Sequence, residues 1–331
     1  MNSNVAAERQ RLADRYAAFA ADEARGVSEI YERLALAIAG SPELLAFLVS
    51  LPVPRRQPNL FLAAIRHLHG IPDSVDRLVQ LVRHDPGRIR GLMLSRTTQT
   101  NEPARCAVLL PLLAQLPQPL ALLEVGASAG LCLLPDYYRY DYGRIRIGSD
   151  VAASDGAPIF RCKTSGAAPL PKALPRIVWR RGLDLNPIDL RSDAEVAWLE
   201  TLVWPGQDER ARGLRVAIDV ARREMPPVVK GDLLADLEPL MATAPSDATL
   251  VVFHTAVLAY IASQERRDGF VETVRKSGAV WISNEVPGVF PSFAQSAPSS
   301  PRRGLFLMMR DGVPVAWTGP HGQSIDWFGP P

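Results

Sequence analysis

The run Leu122-Leu123-Glu124-Val125-Gly126-Ala127-Ser128-Ala129-Gly130-Leu131 constrains this chain more than any other stretch. An apolar segment closes on an acid, bends at two glycines and re-enters apolar sequence. That is the order of a buried parallel strand, a tight turn and the start of a helix. Glycine has no Cβ, so such a turn takes up a left-handed backbone and lets a ligand come close to the main chain. A helix behind the turn offers unpaired N–H groups and the positive end of its dipole. A nucleotide-like ligand suits that setting, with Glu124 at the strand end as acceptor for a hydroxyl or an ammonium.

The flanks differ in pattern. From about residue 4 to 118 apolar residues recur at helical spacing and strand alternation is missing, so this part reads as an all-helical N-terminal cap region, 1–118. Ser41-Pro42-Glu43 is an N-cap followed by proline in the first turn, and further short helices are expected at 59–69, 74–83 and 86–95. Residues 98–105 are polar between two apolar helices. They read either as a loop with a helix cap or as a segment over the sheet's mouth, with Gln99, Asn101, Glu102 or Arg105 touching a ligand.

From residue 119 to 331 strands alternate with helices, the signature of an α/β domain with a parallel sheet. The first strand is expected at 121–125 and its helix at about 129–137. A second strand is expected at 144–148, with Asp150 at its end, about twenty residues past the turn, where nucleotide-binding α/β folds place a ribose-binding acid. Residues from about 151 to 227 interrupt the alternation as an insertion with an extra strand at 177–181 and helices at 193–203 and 207–224. Asp184, Asn186 and Asp189 there suit a turn and helix cap better than a metal, and no metal site is expected. A short strand ends in Gly231-Asp232, a continuous apolar strand at 248–253 ends in His254-Thr255, and another at 278–283 ends in Asn284-Glu285. A Pro- and Ser-rich stretch at 287–303 reads as loop. The last strands form an antiparallel hairpin turning at Asp311-Gly312.

Composition narrows the function classes. A net charge of +2 on 331 residues makes neither nucleic acid nor a membrane surface an expected partner. The polar start carries no secretory pattern, and no uncharged apolar run is long enough to span a bilayer. Cys106, Cys132 and Cys162 are scattered without a C-x-x-C, which fits reduced thiols in a cytoplasmic protein.

Two motifs overlap in the opening run. Gly126-Ala127-Ser128-Ala129-Gly130 fits the G-x-S-x-G nucleophile elbow of α/β-hydrolases, with His254 or His321 as base and, for His321, an acid such as Asp232 between Ser128 and the histidine in the chain. Glu124-Val125-Gly126-Ala127-Ser128-Ala129-Gly130 resembles the first motif of class I S-adenosylmethionine (SAM) methyltransferases, and the strand order with its terminal hairpin resembles their sheet. More closely, 124–134, 98–105, 180–189 and Phe253-His254-Thr255 resemble the prokaryotic domain of unknown function family 2332, which implies a methyltransferase-like fold without an established reaction. The resemblance implies SAM as cofactor, held by Glu124, Gly126, Ser128, Gly130, Asp150 and Asp232, and a small-molecule methyl acceptor. His254 is then the candidate base and Glu285 the candidate grip on the acceptor, while His321 suits a surface turn. A fold that binds SAM or a nucleotide without catalysis, another nucleotide-binding enzyme, and the serine hydrolase remain alternatives. The oligomeric state is open.

Overall fold

The computed structural model describes residues 3–148 and 157–329, so Asp150 lies outside the described residues. The chain divides into two compact units, residues 1–100 with 192–211, and residues 101–191 with 212–331. The stretch expected as an insertion is thus shared between them.

The first unit is helical. Ser3–Phe19, Glu29–Ala39, Pro42–Val49, Pro58–His69, Val75–His84 and Pro86–Ser95 are joined by Asp193–Thr201. Local chemistry sets the starts. Ser28, Ser41, Ser74 and Ser192 each accept a backbone N–H three residues on, and Pro42, Pro58 and Pro86 stand where no helical N–H is needed. The apolar stripes close on one core containing Tyr16, Leu34, Ile38, Leu48, Phe61, Leu78 and Trp198.

The second unit is α/β. Its strands are β1 Leu120–Val125, β2 Arg139–Asp141, β3 Arg146–Ile147, β4 Ile159–Arg161, β5 Lys163–Ser165, β6 Ile177–Asp184, β7 Val228–Lys230, β8 Thr249–Thr255, β9 Val280–Glu285, β10 Phe306–Arg310, β11 Val313–Thr318 and β12 Ser324–Trp327. Nine form one mostly parallel sheet in the order β5-β12-β11-β10-β9-β8-β1-β6-β7. The run from β7 to β9 is parallel throughout. β1 is buried at every position, as a strand covered on both faces must be. The chain leaves β1 toward β6 and β7, then returns to β8 on the other side, so the direction of winding reverses between β1 and β8. The hairpin β10–β11 turns at Asp311 and Gly312, both at positive φ (55° and 83°), the backbone a two-residue turn of this hand requires.

Two expectations are corrected here. The segment 144–148 supplies only β3, which pairs with β2 in a separate three-stranded sheet β3-β2-β4. The neighbour of β1 is β6, from the supposed insertion. The strand expected at 177–181 is present and runs on to Asp184, and Arg180 is accommodated in it, partly buried, because Asp136 grips it through both oxygens at 2.8 and 2.9 Å while Leu133 O accepts at 2.8 Å. The expected helix at 129–137 is also absent. Two 3₁₀ turns, Leu131–Leu133 and Pro135–Tyr137, stand there, because Pro135 removes a donor and keeps Leu134 out of helical geometry. No helix N-terminus therefore backs the glycine turn. Among the described residues no helix is long and apolar enough to cross a membrane.

Candidate functional site

Open parallel sheets bind ligands outside the carboxyl ends of their strands, beside the point where the winding reverses. At that edge β1 ends in Glu124-Val125, level with Gly182-Leu183 of β6 and, for Glu124, with Phe253 of β8. Glu124 is 4% exposed, and its Oε2 is buried without a hydrogen-bond partner. Loss of hydration pushes its carboxyl well above the usual range. Cys132 and Asp184 add to that push, and Arg105 opposes it. A buried acceptor left unmatched costs stability, so one at the carboxyl end of the central strand is a candidate ligand contact.

A sign follows. A carboxyl raised in the folded state holds its proton more tightly there than in the unfolded chain. Its favourable contribution is full below its ordinary value of 4.5 and is lost as pH rises toward the folded value. Glu124→Gln is therefore expected to unfold at a higher temperature than wild type at pH 8, by roughly 2–4 °C for about 1 kcal/mol gained. The gap should shrink toward zero near pH 4. Thermal melts across that range check it, and a variant less stable at pH 8 would contradict the unmatched acid.

The turn after β1 is held by the protein's own groups. Gly126, Ser128 and Gly130 lie at φ 72°, 50° and 70°. Ser128 N donates to Asp184 Oδ2 at 2.8 Å. The Ser128 hydroxyl accepts from Asn101 Nδ2 at 2.8 Å, and Ala129 N donates to Asn101 Oδ1 at 3.0 Å. Ser128 is the only non-glycine of the three, and these bonds hold its left-handed backbone in place. Asp184 ends β6 and also receives Asn186 N at 2.7 Å, closing a turn. Asp189 pairs with Arg191, so the three residues weighed as ligands build turns. A Cβ on Gly126 would sit 2.3 Å from Cγ2 of Val257, so the loop after β8 presses directly on the glycine.

Asp232, after β7, accepts Leu234 N at 2.9 Å and Arg266 Nη2 at 2.8 Å. The Leu234 N–H lowers its pKa most, with Ala235 N and Arg266 adding to the effect. It belongs to the same edge, on the second strand out from β1.

His254 and Glu285 stand at the carboxyl ends of β8 and β9 as expected, but they face each other inside the protein, 0% and 2% exposed. Trp281 Nε1 donates to His254 Nε2 at 3.0 Å, which leaves the ring proton on Nδ1, donated to Glu285 Oε1 at 2.8 Å. The same oxygen accepts Val257 N at 2.9 Å and Leu258 N at 3.1 Å. With its acceptor nitrogen filled, the ring has no lone pair for a substrate's proton in this arrangement. The pair instead fixes the loop that carries Val257 against Gly126. The roles of base and acceptor grip expected for His254 and Glu285 are corrected accordingly.

The polar segment before the sheet also reaches this edge. Arg105 is 4% exposed. Its Nη1 donates to Thr255 O at 3.1 Å and its Nε to Pro320 O at 2.9 Å. Glu102, 5% exposed, receives Ala104 N at 3.4 Å and lies 3.5 Å from His321 Nδ1. Asp184, read in sequence as a turn or cap residue, stands at this edge because β6 is the neighbour of β1. Glu102 and His321 lie 219 positions apart and only the fold joins them.

The architecture defines an α/β protein whose acids gather at the carboxyl edge of a mostly parallel sheet. The profile of the family described as "Uncharacterized protein conserved in bacteria (DUF2332)" matches residues 13–327, and the chain belongs to that family. No curated protein and no solved structure matches the chain.

Proposed function

We propose that this chain is a SAM-dependent methyltransferase acting on a small molecule. The observation that carries the reading is the unmatched Glu124 oxygen at the end of the central strand, beside the reversal of winding. The order β7-β6-β1-β8-β9 is the 3-2-1-4-5 run of doubly wound nucleotide-binding sheets. Acids end three consecutive strands, Glu124 on β1, Asp184 on β6 and Asp232 just after β7. Asp184 takes the position for which the sequence offered Asp150.

An adenosylated amino acid fits this donor set. Its ammonium needs a buried carboxylate, and ribose hydroxyls and an adenine amino group need acceptors at the next two strand ends. When bound, the cofactor supplies a methyl already activated by a sulfonium. The chain's own residues then bind and orient. Glu124 holds the charged end, while Asp184 and Asp232 offer acceptors. The Gly126, Ser128 and Gly130 turn sets the backbone height, and Val257 closes it from the β8 side. Positioning of this kind supplies much of the rate in such transfers.

The hydrolase reading has weaker support. The Ser128 hydroxyl is engaged by Asn101, and among the described residues no imidazole hydrogen-bonds it.

Isothermal titration with SAM and with S-adenosylhomocysteine tests the proposal. Wild type is expected to bind both, and Glu124→Gln and Asp184→Asn each to weaken SAM by about tenfold or more, the scale of one charged hydrogen bond. Wild type that binds neither, and that is labelled at Ser128 by a fluorophosphonate, would transfer the assignment to a hydrolase.

A further inference from the structure

His321 lies in the loop after β11, a place that reads in sequence as a surface turn. The structure keeps it in a turn, and the fold brings that turn to the carboxyl edge of the sheet. β11 is two antiparallel steps from β9 and so runs in the same direction, which brings its end to the edge that carries Glu124, Thr255 and Glu285. Thr318, the last residue of β11, donates its hydroxyl to Asn284 Oδ1 at 2.6 Å, tying the two strand ends together.

Three further contacts fasten the loop. Arg105 bridges Pro320 O and Thr255 O. His321 N donates to Gln323 Oε1 at 2.9 Å. Gly322 lies so near the polar segment that a Cβ there would be 2.0 Å from Ala104 O. The imidazole is thus held at a fixed height over the edge, with Nδ1 facing the buried carboxylate of Glu102 at 3.5 Å. Its side chain is 31% exposed, against 0% for His254, so of the two histidines in this unit it alone meets solvent. An imidazole beside a buried carboxylate, here at an ion-pair distance that a hydrogen bond would shorten when a ligand binds, is an arrangement from which a general base is built.

We propose that His321 is the proton acceptor of this site and Glu102 its positioning residue; this rests on the methyltransferase reading. The acceptor, an alcohol, phenol or amine, gives its proton to the imidazole. Its freed electron pair forms the bond to the methyl carbon, and the electron pair of the broken carbon–sulfur bond stays on sulfur. The imidazolium that results is paired with Glu102. Among the described residues, Glu102 faces the imidazole and Arg105 holds the loop through Pro320 O.

The experiment joins calorimetry to transfer of labelled methyl from SAM into the small-molecule fraction of a bacterial extract. His321→Ala is expected to bind S-adenosylhomocysteine within about twofold of wild type while transfer falls about 100-fold, at the lower end of what a general base contributes. Added imidazole should restore part of it. Glu102→Gln is expected to move the acid limb of the wild-type rate profile to lower pH, because the lost carboxylate no longer favours the imidazolium. A residue that served structure alone would move neither the pH limb nor the imidazole rescue. Transfer by His321→Ala at the wild-type rate overturns the proposal and leaves the binding reading intact. Wild type that binds but transfers nothing overturns it as well, and wild type that fails to bind overturns the reading beneath it.

Discussion

Gly126→Val is expected to destabilise the chain by about 2–5 kcal/mol, the sum of about 1–3 for forcing extra carbons into a packed site and about 1–2 for a side chain at left-handed φ. The cause is local and double. The residue sits at φ 72°, and its missing Cβ would lie 2.3 Å from Val257 Cγ2 and 2.6 Å from Cγ1. Urea denaturation checks the loss. Val257→Ala in the same background should recover only part of the crowding, because it removes both Cγ atoms while its own Cβ stays 2.9 Å from the new one, and it should leave the backbone part because φ is unchanged. A Gly126→Val protein with the wild-type midpoint would show that the loop after β8 does not press on the turn. The same contact bears on how ligand binding is tested. A glycine variant that fails to bind is silent on whether the site or the fold was lost, whereas Glu124→Gln keeps the size and shape of the side chain and replaces one acceptor oxygen by an amide donor.

Glu285→Ala is expected to cost about 3–5 kcal/mol, the range seen when one partner of a buried, hydrogen-bonded charged network is removed. One oxygen of Glu285 takes the His254 Nδ1–H and the N–H groups of Val257 and Leu258, and all three would be left without an acceptor in a region closed to water. Glu285→Gln keeps a carbonyl oxygen in that place and should cost less than half as much. Guanidinium denaturation of the two variants side by side separates loss of the acceptor from loss of the charge. Equal losses in both would mean that charge dominates, and no loss in either would remove the network from the account of the fold. Because Val257 hangs from this network, the proposed function predicts that SAM affinity falls in Glu285→Ala before the protein unfolds.

The parts of this architecture that were legible in the sequence are those where a local rule and the tertiary outcome agree. Serine caps and first-turn prolines marked the helices of the first unit, and the continuous apolar run of β8 could only be a strand buried on both faces. Asp311-Gly312 announced the hairpin. Failures came where a distant partner changes the local preference. Ile177-Val178-Trp179-Arg180-Arg181 reads as an extra strand within an insertion, yet it is the immediate neighbour of β1, and Asp136, forty-four residues earlier, pairs with Arg180 there. At 129–137 the apolar content suggested a helix and outweighed Pro135, which has the stronger steric effect. The site divides in the same way. Glu124, Gly126 and Asp232 were visible from spacing after a strand. The burial that turns His254 and Glu285 toward each other depends on Trp281, and the approach of His321 to Glu102 depends on the order in which β9, β10 and β11 pair, neither of which a linear reading contains.

The outermost pairing of the large sheet bears on how the protein comes into being. Lys163–Ser165 lines up beside Ser324–Trp327, with the Ser165 hydroxyl meeting Asp326 across 161 positions of chain. During synthesis that early strand must therefore wait, its backbone groups on this side unmatched, until residues 324–327 have left the ribosome. Assembly of this border belongs to the slow, long-range kind of folding, and in the interval the exposed strand is where a nascent chain of this protein is most open to pairing with a neighbour.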